Sequence, residues 1–377
     1  MDVKSTVSVA NRPEPTLTQR VSALHIDLPL FLTLLMGCCL GLWVLYTASG
    51  QSESMVARQA IRLGVGLIAM IVIAQIPPRW IRIGAPWGLG IGVILLVIVI
   101  GLGHSSLGAR RWLSLGVVRF QPSEIVKILV PLTLASFLYA RPLPPRLFEI
   151  MVCALLIAVP AGLVVIEPDF GSAVLIAVSG ATVLFFAGLR WRFIFAVIAL
   201  LLAAAPVVWF SLQNYQQARV LTFLNPSRAP LGAGYHILQS KIAIGSGGLF
   251  GQGWLDGSQA RLSFLPEAST DFIFSVYAEE TGFLGVAGML LIYLLILGRG
   301  IVIALNNSDT FERLAAASLS VVFFLYVFVN IAMVSGILPV VGVPLPLVSY
   351  GGTSLVTLLA SFGVLMSIQT HRELLSQ

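Results

Sequence analysis

Long apolar runs dominate the chain, and polar residues collect between them instead of alternating with them. A helix needs about 20 apolar residues to cross the hydrocarbon of a bilayer. About ten runs qualify, at 28–48, 57–76, 83–102, 122–140, 147–166, 170–188, 192–211, 272–298, 314–336 and 350–370. The pattern predicts an all-α polytopic membrane protein of about ten transmembrane helices. One connection stands apart: residues 213–270, between the seventh and eighth runs, are far longer than common loops and should carry structure or function of their own. Within it Tyr235 to Ile244 reads as an amphipathic helix, followed by the glycine-rich run Gly245 to Gly253.

Composition agrees with this organisation. Of 377 residues 58% are apolar and 10% charged, against about 25% charged in soluble domains. So few charges cannot clothe a soluble globule, which excludes a soluble two-domain enzyme, a disulfide-framed secreted module and a disordered chain. Cys38, Cys39 and Cys153 all lie in apolar runs and read as packing thiols. The four histidines are scattered without an HExxH motif, so zinc chemistry is not expected. Residues 1–27 are polar and contain Pro13 and Pro15, and the first apolar run starts too late for a cleavable signal. The expected organisation is a cytoplasmic tail over 1–27, a single transmembrane domain over 28–370 and a cytoplasmic tail over 371–377, with a retained signal anchor.

The net charge of +6 reports topology, and nucleic acid is not an expected partner. Arg79 with Arg82, Arg141 with Arg146, Arg190 with Arg192, and Arg299 with Arg313 occupy every second connection, while Lys4, Arg12, Arg20 and Arg372 lie at the termini. Basic residues mark the cytoplasmic side, so both termini are expected there. Ten other basic residues, from Arg58 to Arg261, fall outside or toward the outer ends of spans. Such a surplus calls for an external anion.

Four segments could supply chemistry. Gly108 to Gly116, with Arg110 and Arg111, precedes Arg119-Phe-Gln-Pro-Ser-Glu124 and Lys127. Pro122 suits the first turn of a helix, and a helix amino end beside arginines suits an anion such as a lipid diphosphate. The same arginines could simply meet lipid headgroups, with Glu124 and Lys127 a passive i, i+3 pair. In Leu265 to Phe274, Asp271 falls where a carboxylate can meet both water and a lipid-tailed substrate, the right depth for a general base. Alternatively Ser269 or Thr270 caps the eighth span and Asp271 only favours its dipole. Glu279 and Glu280, deeper in that span, need partners such as Lys127 or Arg219. In Glu167-Pro-Asp169, Asp169 could bind a metal, bind an arginine of the long loop, or cap the sixth span. The uncharged run Gly336 to Gly352, with Pro339, Pro344 and Pro346, should pack at the bilayer surface or line a lipid groove. The glycine-rich run fits no nucleotide motif, and flexibility or a close backbone approach to substrate accounts for it. No internal repeat is visible.

Together these segments resemble the SEDS family (shape, elongation, division and sporulation). The resemblance rests on Gly108 to Gly116, Phe120 to Glu124, Pro168-Asp169, Pro230 to His236, Gln239 to Gly248, Leu265 to Glu267, Thr270 to Phe274 and Leu345 to Gly352. Gly-Tyr-His236 and Gly342-Val-Pro-Leu-Pro are similar to the elongation branch. Ser269 stands where the family usually has histidine, and Phe170-Gly-Ser172 where Leu-Gly-Thr is common. The resemblance implies a peptidoglycan glycosyltransferase that polymerises lipid II, an undecaprenyl-diphosphate-linked disaccharide peptide, at the outer face of the cytoplasmic membrane. It implies Asp271 as catalytic residue and a class B penicillin-binding transpeptidase of the elongation machinery as partner. Arg110, Arg111, Lys127, Arg219, Lys241 and Arg261 are the cations available to the diphosphate, with a divalent cation, Mg or Mn, as a further candidate, and Glu124 and Asp169 complete the expected substrate-binding set. A lipid II flippase and a non-catalytic scaffold for the transpeptidase are the competing readings.

Overall fold

The computed structural model describes residues 25–106, 109–115, 118–211, 217–218, 221–222, 233–258, 265 and 267–371. Helices occupy all ten apolar runs: α1 Leu28–Ala48, α2 Glu53–Ala74, α3 Pro78–Leu102, α4 Pro122–Tyr139, α5 Leu147–Ile166, α6 Phe170–Phe186, α7 Trp191–Ser211, α9 Ile273–Leu305, α10 Thr310–Val334 and α11 Thr353–Thr370, with α8 Ala233–Ser246 in the long connection. Eight are long and apolar enough to cross a bilayer. α6 and the apolar part of α7, Trp191–Pro206, are shorter. The chain is a multi-pass membrane protein. α8 covers the amphipathic segment expected at Tyr235 to Ile244.

One departure from an all-α fold lies between α3 and α4. Strands β1 His104–Ser106, β2 Ala109–Leu115 and β3 Val118–Phe120 form a three-stranded antiparallel ribbon in sequence order, pairing His104 with Trp112 and Leu113 with Phe120. It delivers Arg111 to the start of α4, where Pro122 takes the first helical position as its missing N–H permits.

α4, α10 and α11 bury most of their length, whereas α2 and α5 bury less than a quarter. The former make the centre and the latter present Ile61, Ile68, Met151 and Leu155 outward, as lipid-facing helices should. Small residues set the closest approaches: Gly66 of α2 sits against Leu359 of α11, and Gly363 against the backbone of Met70. At the end of the bundle that carries the termini, Asp27 caps α1 through Leu30 N at 3.0 Å and pairs with Arg299 of α9, Nε to Oδ1 at 3.0 Å. His25 stacks on His371 there at 3.9 Å, joining the first and last helices.

Two irregular segments enter the bundle at the opposite end. α9 breaks at Gly282, where φ is 64° and ψ −164°. The freed backbone groups are taken up by the glycine-rich run: Gln252 N donates to Glu279 O (2.9 Å), Gly253 N to Glu280 O (3.1 Å) and Phe283 N to Gly248 O (2.9 Å). Non-helical backbone at membrane depth persists only where protein satisfies it, and side chains at Gly247 or Gly251 would collide with the carbonyls of Ala278 and Glu280. The glycines therefore allow close approach to a broken helix, where the sequence suggested flexibility or approach to substrate. The second segment is Gly336 to Gly352. It was expected at the bilayer surface or along a lipid groove; Val343, Leu345, Leu347 and Val348 are buried instead, and Leu347 lies against Gly37 and Gly41 of α1. Tyr293 of α9 donates its hydroxyl to Pro346 O at 2.7 Å, so this backbone too is satisfied.

Candidate active site at the end of α9

Asp271 sits in a turn over residues 267–272 that precedes α9. Neither Ser269 nor Thr270 caps the helix; the N-cap is Phe272, with no side-chain cap, and the Thr270 hydroxyl bonds Glu267 Oε2 at 2.8 Å. The capping alternative therefore falls away. The turn is held by its backbone instead. Asn330, fully buried in α10, donates to Asp271 O at 2.9 Å and to Val343 O at 2.7 Å. Ser349 donates to Thr270 O at 2.6 Å, and Tyr350 N donates to Ser269 O at 2.9 Å. The half-buried Asp271 carboxylate faces Gly342, and its Oδ2 is 3.5 Å from where a Cβ would stand. Gly342 also has φ 72°, so a side chain there would be strained and its Cβ would touch the carboxylate.

Beside this turn opens a cavity of about 750 Å³, lined by Thr47, Ser49 and Gln51 of the α1 end and by Glu267, Ser269 and Glu280. Its floor is made by the loop that fills the α9 break. Ser258 donates to Glu279 Oε1 at 3.1 Å, Leu255 N to Glu280 Oε1 at 3.2 Å, and Trp254 Nε1 to Thr47 at 3.2 Å. Ser258 of the loop thus serves Glu279, and Leu255 of the loop with Thr47 of α1 serves Glu280, while Lys127 pairs with Glu124. His236 of α8 stacks on Phe272 at 5.9 Å, and burial lowers its pKa against the opposing pull of Glu267.

The second predicted group assembles around α4. Lys127 donates to Glu124 Oε1 at 2.7 Å, both side chains being buried. Arg111 donates to Pro168 O at 2.6 Å and lies 3.8 Å from Asp169 Oδ2, which also accepts from Gln121 at 3.2 Å. The other oxygen of Asp169 caps α6 through Ser172 N at 3.2 Å. Capping and arginine binding therefore coexist, and the arginine comes from the ribbon, where the long loop had been expected to supply it. Burial first, then the charge of Asp169, pushes the Glu167 carboxyl up to about 8, with Arg111 opposing. A cavity of about 40 Å³ runs from Glu124 and Lys127 past Tyr326 to Ser349, room for two or three waters between this group and the Asp271 turn.

Other predicted residues lie apart from these groups. Lys241 packs its ammonium end against Gly336 at the end of α10. Arg219 and Arg261 fall outside the described residues, as does the Arg110 side chain, although its backbone is in β2. Among the described residues no three His, Cys, Asp or Glu side chains gather to hold a metal ion, so a resident divalent cation finds no ready-made ligand set.

Sequence reasoning passed over Arg58 and Arg62. Arg58 Nε donates to the Tyr350 hydroxyl at 3.4 Å, Arg62 lies over the Tyr350 ring at 4.5 Å, and Gln59 between them donates to Ser349 O at 3.1 Å. Burial raises the Tyr350 phenol pKa, but the Arg58 hydrogen bond and the two arginine charges outweigh it and leave the phenol below its ordinary value. The available signal was position, since both arginines fall inside the apolar run 57–76, where a charge is costly and commonly functional.

Known proteins share this architecture. The cell cycle protein family of FtsW, RodA and SpoVE matches residues 21–374. Peptidoglycan glycosyltransferase MrdB of Escherichia coli K12 is 51% identical over 94% of this chain and 96% of its own length. The protein of the same name from Helicobacter pylori 26695 is 37% identical over 84% of this chain and 83% of its own. Among solved structures, a chain of a peptidoglycan synthase complex that coordinates polymerization and crosslinking superposes with a TM-score of 0.81 at 35% identity, covering 92% of this chain and 98% of that one. The rod shape determining protein RodA of Thermus thermophilus gives 0.71 at 29% identity, covering 92% and 97%. The match spans nearly every helix and both irregular segments, and the chain belongs to the FtsW/RodA/SpoVE family.

Proposed function

We propose that the protein is a peptidoglycan glycosyltransferase that polymerises lipid II during cell elongation, with Asp271 as general base. The carrying observation is the Asp271 turn: Asn330 and Ser349 hold its backbone, the carboxylate faces Gly342, and Glu267 and Ser269 of the same turn line a polar cavity. A carboxylate fixed this way is pre-positioned for proton transfer. The 4-hydroxyl oxygen of the acceptor sugar attacks the donor anomeric carbon and gives its proton to Asp271. The bond from that carbon to the diphosphate oxygen breaks, and undecaprenyl diphosphate leaves with the electron pair. An α donor and a β product require inversion by one displacement, by analogy with inverting glycosidases. Charge grows on the departing diphosphate, so cations near it contribute most to the rate.

In this reading the Asp271 end of the bundle faces outward, both termini are cytoplasmic and a class B penicillin-binding transpeptidase is the partner. The basic pairs at Arg79, Arg82, Arg141 and Arg146 lie at the other end of the helices and support that orientation. A broken helix is also a transporter feature, but there the freed backbone groups serve the cargo. Here loop residues 248–253 occupy them, which favours the enzyme over the flippase.

The test is polymerisation of labelled lipid II by purified protein with its transpeptidase partner. Wild type yields glycan strands and Asp271→Ala yields none while melting normally. Full polymer from Asp271→Ala removes the general-base role, and no polymer from well-folded wild type revives transport or scaffolding.

A further inference from the structure

In the ribbon group, expected to bind the diphosphate, the cations with described side chains are already paired. Lys127 is paired with Glu124 and Arg111 with Asp169, so among the described side chains these two leave little net positive charge for a ligand carrying two or more negative charges. Arg58 and Arg62 differ. The described ion pairs include no carboxylate partner for either, and their neighbours are the Tyr350 ring and hydroxyl. They stand one turn apart on α2. From Ile61, between them, the same helix runs on through Val65, Ile68 and Val72, all exposed, a strip on which an acyl or prenyl tail can lie. Above, α11 begins at Thr353 without a side-chain cap, and a Cβ on its N-cap Gly352 would stand 3.8 Å from Arg62 Nε, so the helix start adds free N–H groups and a partial positive charge close by.

We infer that Arg58, Arg62 and Tyr350 form a binding site for the diphosphate of a lipid-linked substrate, its tail lying along the outward strip of α2. The site is wired to the chemistry. Tyr350 N bonds Ser269 O and Ser349 bonds Thr270 O, so the residue between the arginines belongs to the scaffold that holds Asp271. Two guanidiniums suit this ligand because each offers several donors in a plane matched to phosphate oxygens. The inference deepens the proposed function and rests on it for the identity of the substrate.

The phosphodiester of bulk phospholipid shares this chemistry, and the experiment separates the two sources. Full-length protein in nanodiscs of phosphatidylcholine is titrated with labelled undecaprenyl diphosphate, and polymerisation is followed in parallel. Arg58→Gln and Arg62→Gln each weaken binding at least tenfold at unchanged melting temperature, Arg62→Lys recovers part, and Tyr350→Phe weakens it about threefold. Wild-type binding falls with added salt, and replacing a third of the lipid with phosphatidylglycerol leaves it unchanged. Displacement by phosphatidylglycerol, salt-insensitive binding, or wild-type affinity in the glutamine variants overturns the inference. If those variants bind normally and wild type still polymerises, only this site fails. If wild type binds through the arginines but makes no polymer, the proposed function fails and the site stands. The salt and phosphatidylglycerol arms need no variant, so they decide even where a substitution unfolds the protein.

Discussion

Two groups of basic residues flank the Asp271 turn, and they are built on opposite principles. Around α4, Lys127 and Arg111 are matched by Glu124 and Asp169; the Lys127 pair is buried beside Tyr326, while Arg111, its side chain 31% exposed, is held by Pro168 O. On α2, Arg58 and Arg62 lean on an aromatic ring and remain partly open. A buried, matched pair costs desolvation and returns position; an open, unmatched pair keeps its charge for a ligand. The lesson is that intramembrane cations divide into those that brace the site and those that bind at it, and only the partners distinguish them.

Substitutions should expose the difference. The largest effect falls in the matched group. Lys127→Met strands the Glu124 carboxylate and costs about 3–5 kcal/mol, read as early melting in detergent. The double variant Glu124→Leu/Lys127→Met recovers most of it, and if that protein also polymerises normally, the pair is a brace. If the double variant melts normally but is inactive, the comparison breaks and Lys127 meets substrate.

A pH effect follows in size. The folded Glu167 carboxyl titrates near 8 against an ordinary 4.5, so the folded state holds the proton more tightly. Its contribution to stability is complete below about 4.5 and is lost as pH rises toward about 8. Wild type should lose several degrees of melting temperature from pH 5 to pH 8, and Glu167→Gln should flatten that slope. An unchanged slope in Glu167→Gln places the titration elsewhere.

Arg111→Ala comes next. It removes the hydrogen bond to Pro168 O and the neighbour of Asp169, costing about 1–2 kcal/mol together with activity. The smallest stability effect belongs to Arg62→Gln, within about 0.5 kcal/mol of wild type as for surface positions generally, although its loss of binding is large. Equal destabilisation by Arg62→Gln and Arg111→Ala would erase the contrast between the groups.

Much of this was legible beforehand because the signals were local. A bilayer requires long apolar runs, and every run became a helix; Pro122 marked the start of α4, and the weak periodicity at Tyr235 to Ile244 became α8. Asp271 stood out because a carboxylate at the outer end of a span can meet both water and a lipid-tailed substrate, and because the family resemblance singled it out. What stayed hidden depended on residues distant in sequence. Glu280 meets Leu255 of its own loop, Asp169 meets Arg111 of the ribbon, and Arg58 meets Tyr350 across 292 positions. Spacing along one helix names neighbours three or four residues away and is silent about these.

The sequence by itself determined that the chain lives in lipid, how many times it turns to helix, and that Asp271 lies at the end of one of them, because hydrocarbon leaves helices as the only option for such runs. Tertiary structure alone decided how the glycine-rich run and the proline-rich run are used. Both are backbone without helical hydrogen bonds, and each had to find partners: one in the break at Gly282, the other among Tyr293, Ser349 and Asn330. The same packing decided which cations are neutralised and which stay available, since a charge at membrane depth is defined by what lies within a few ångströms of it.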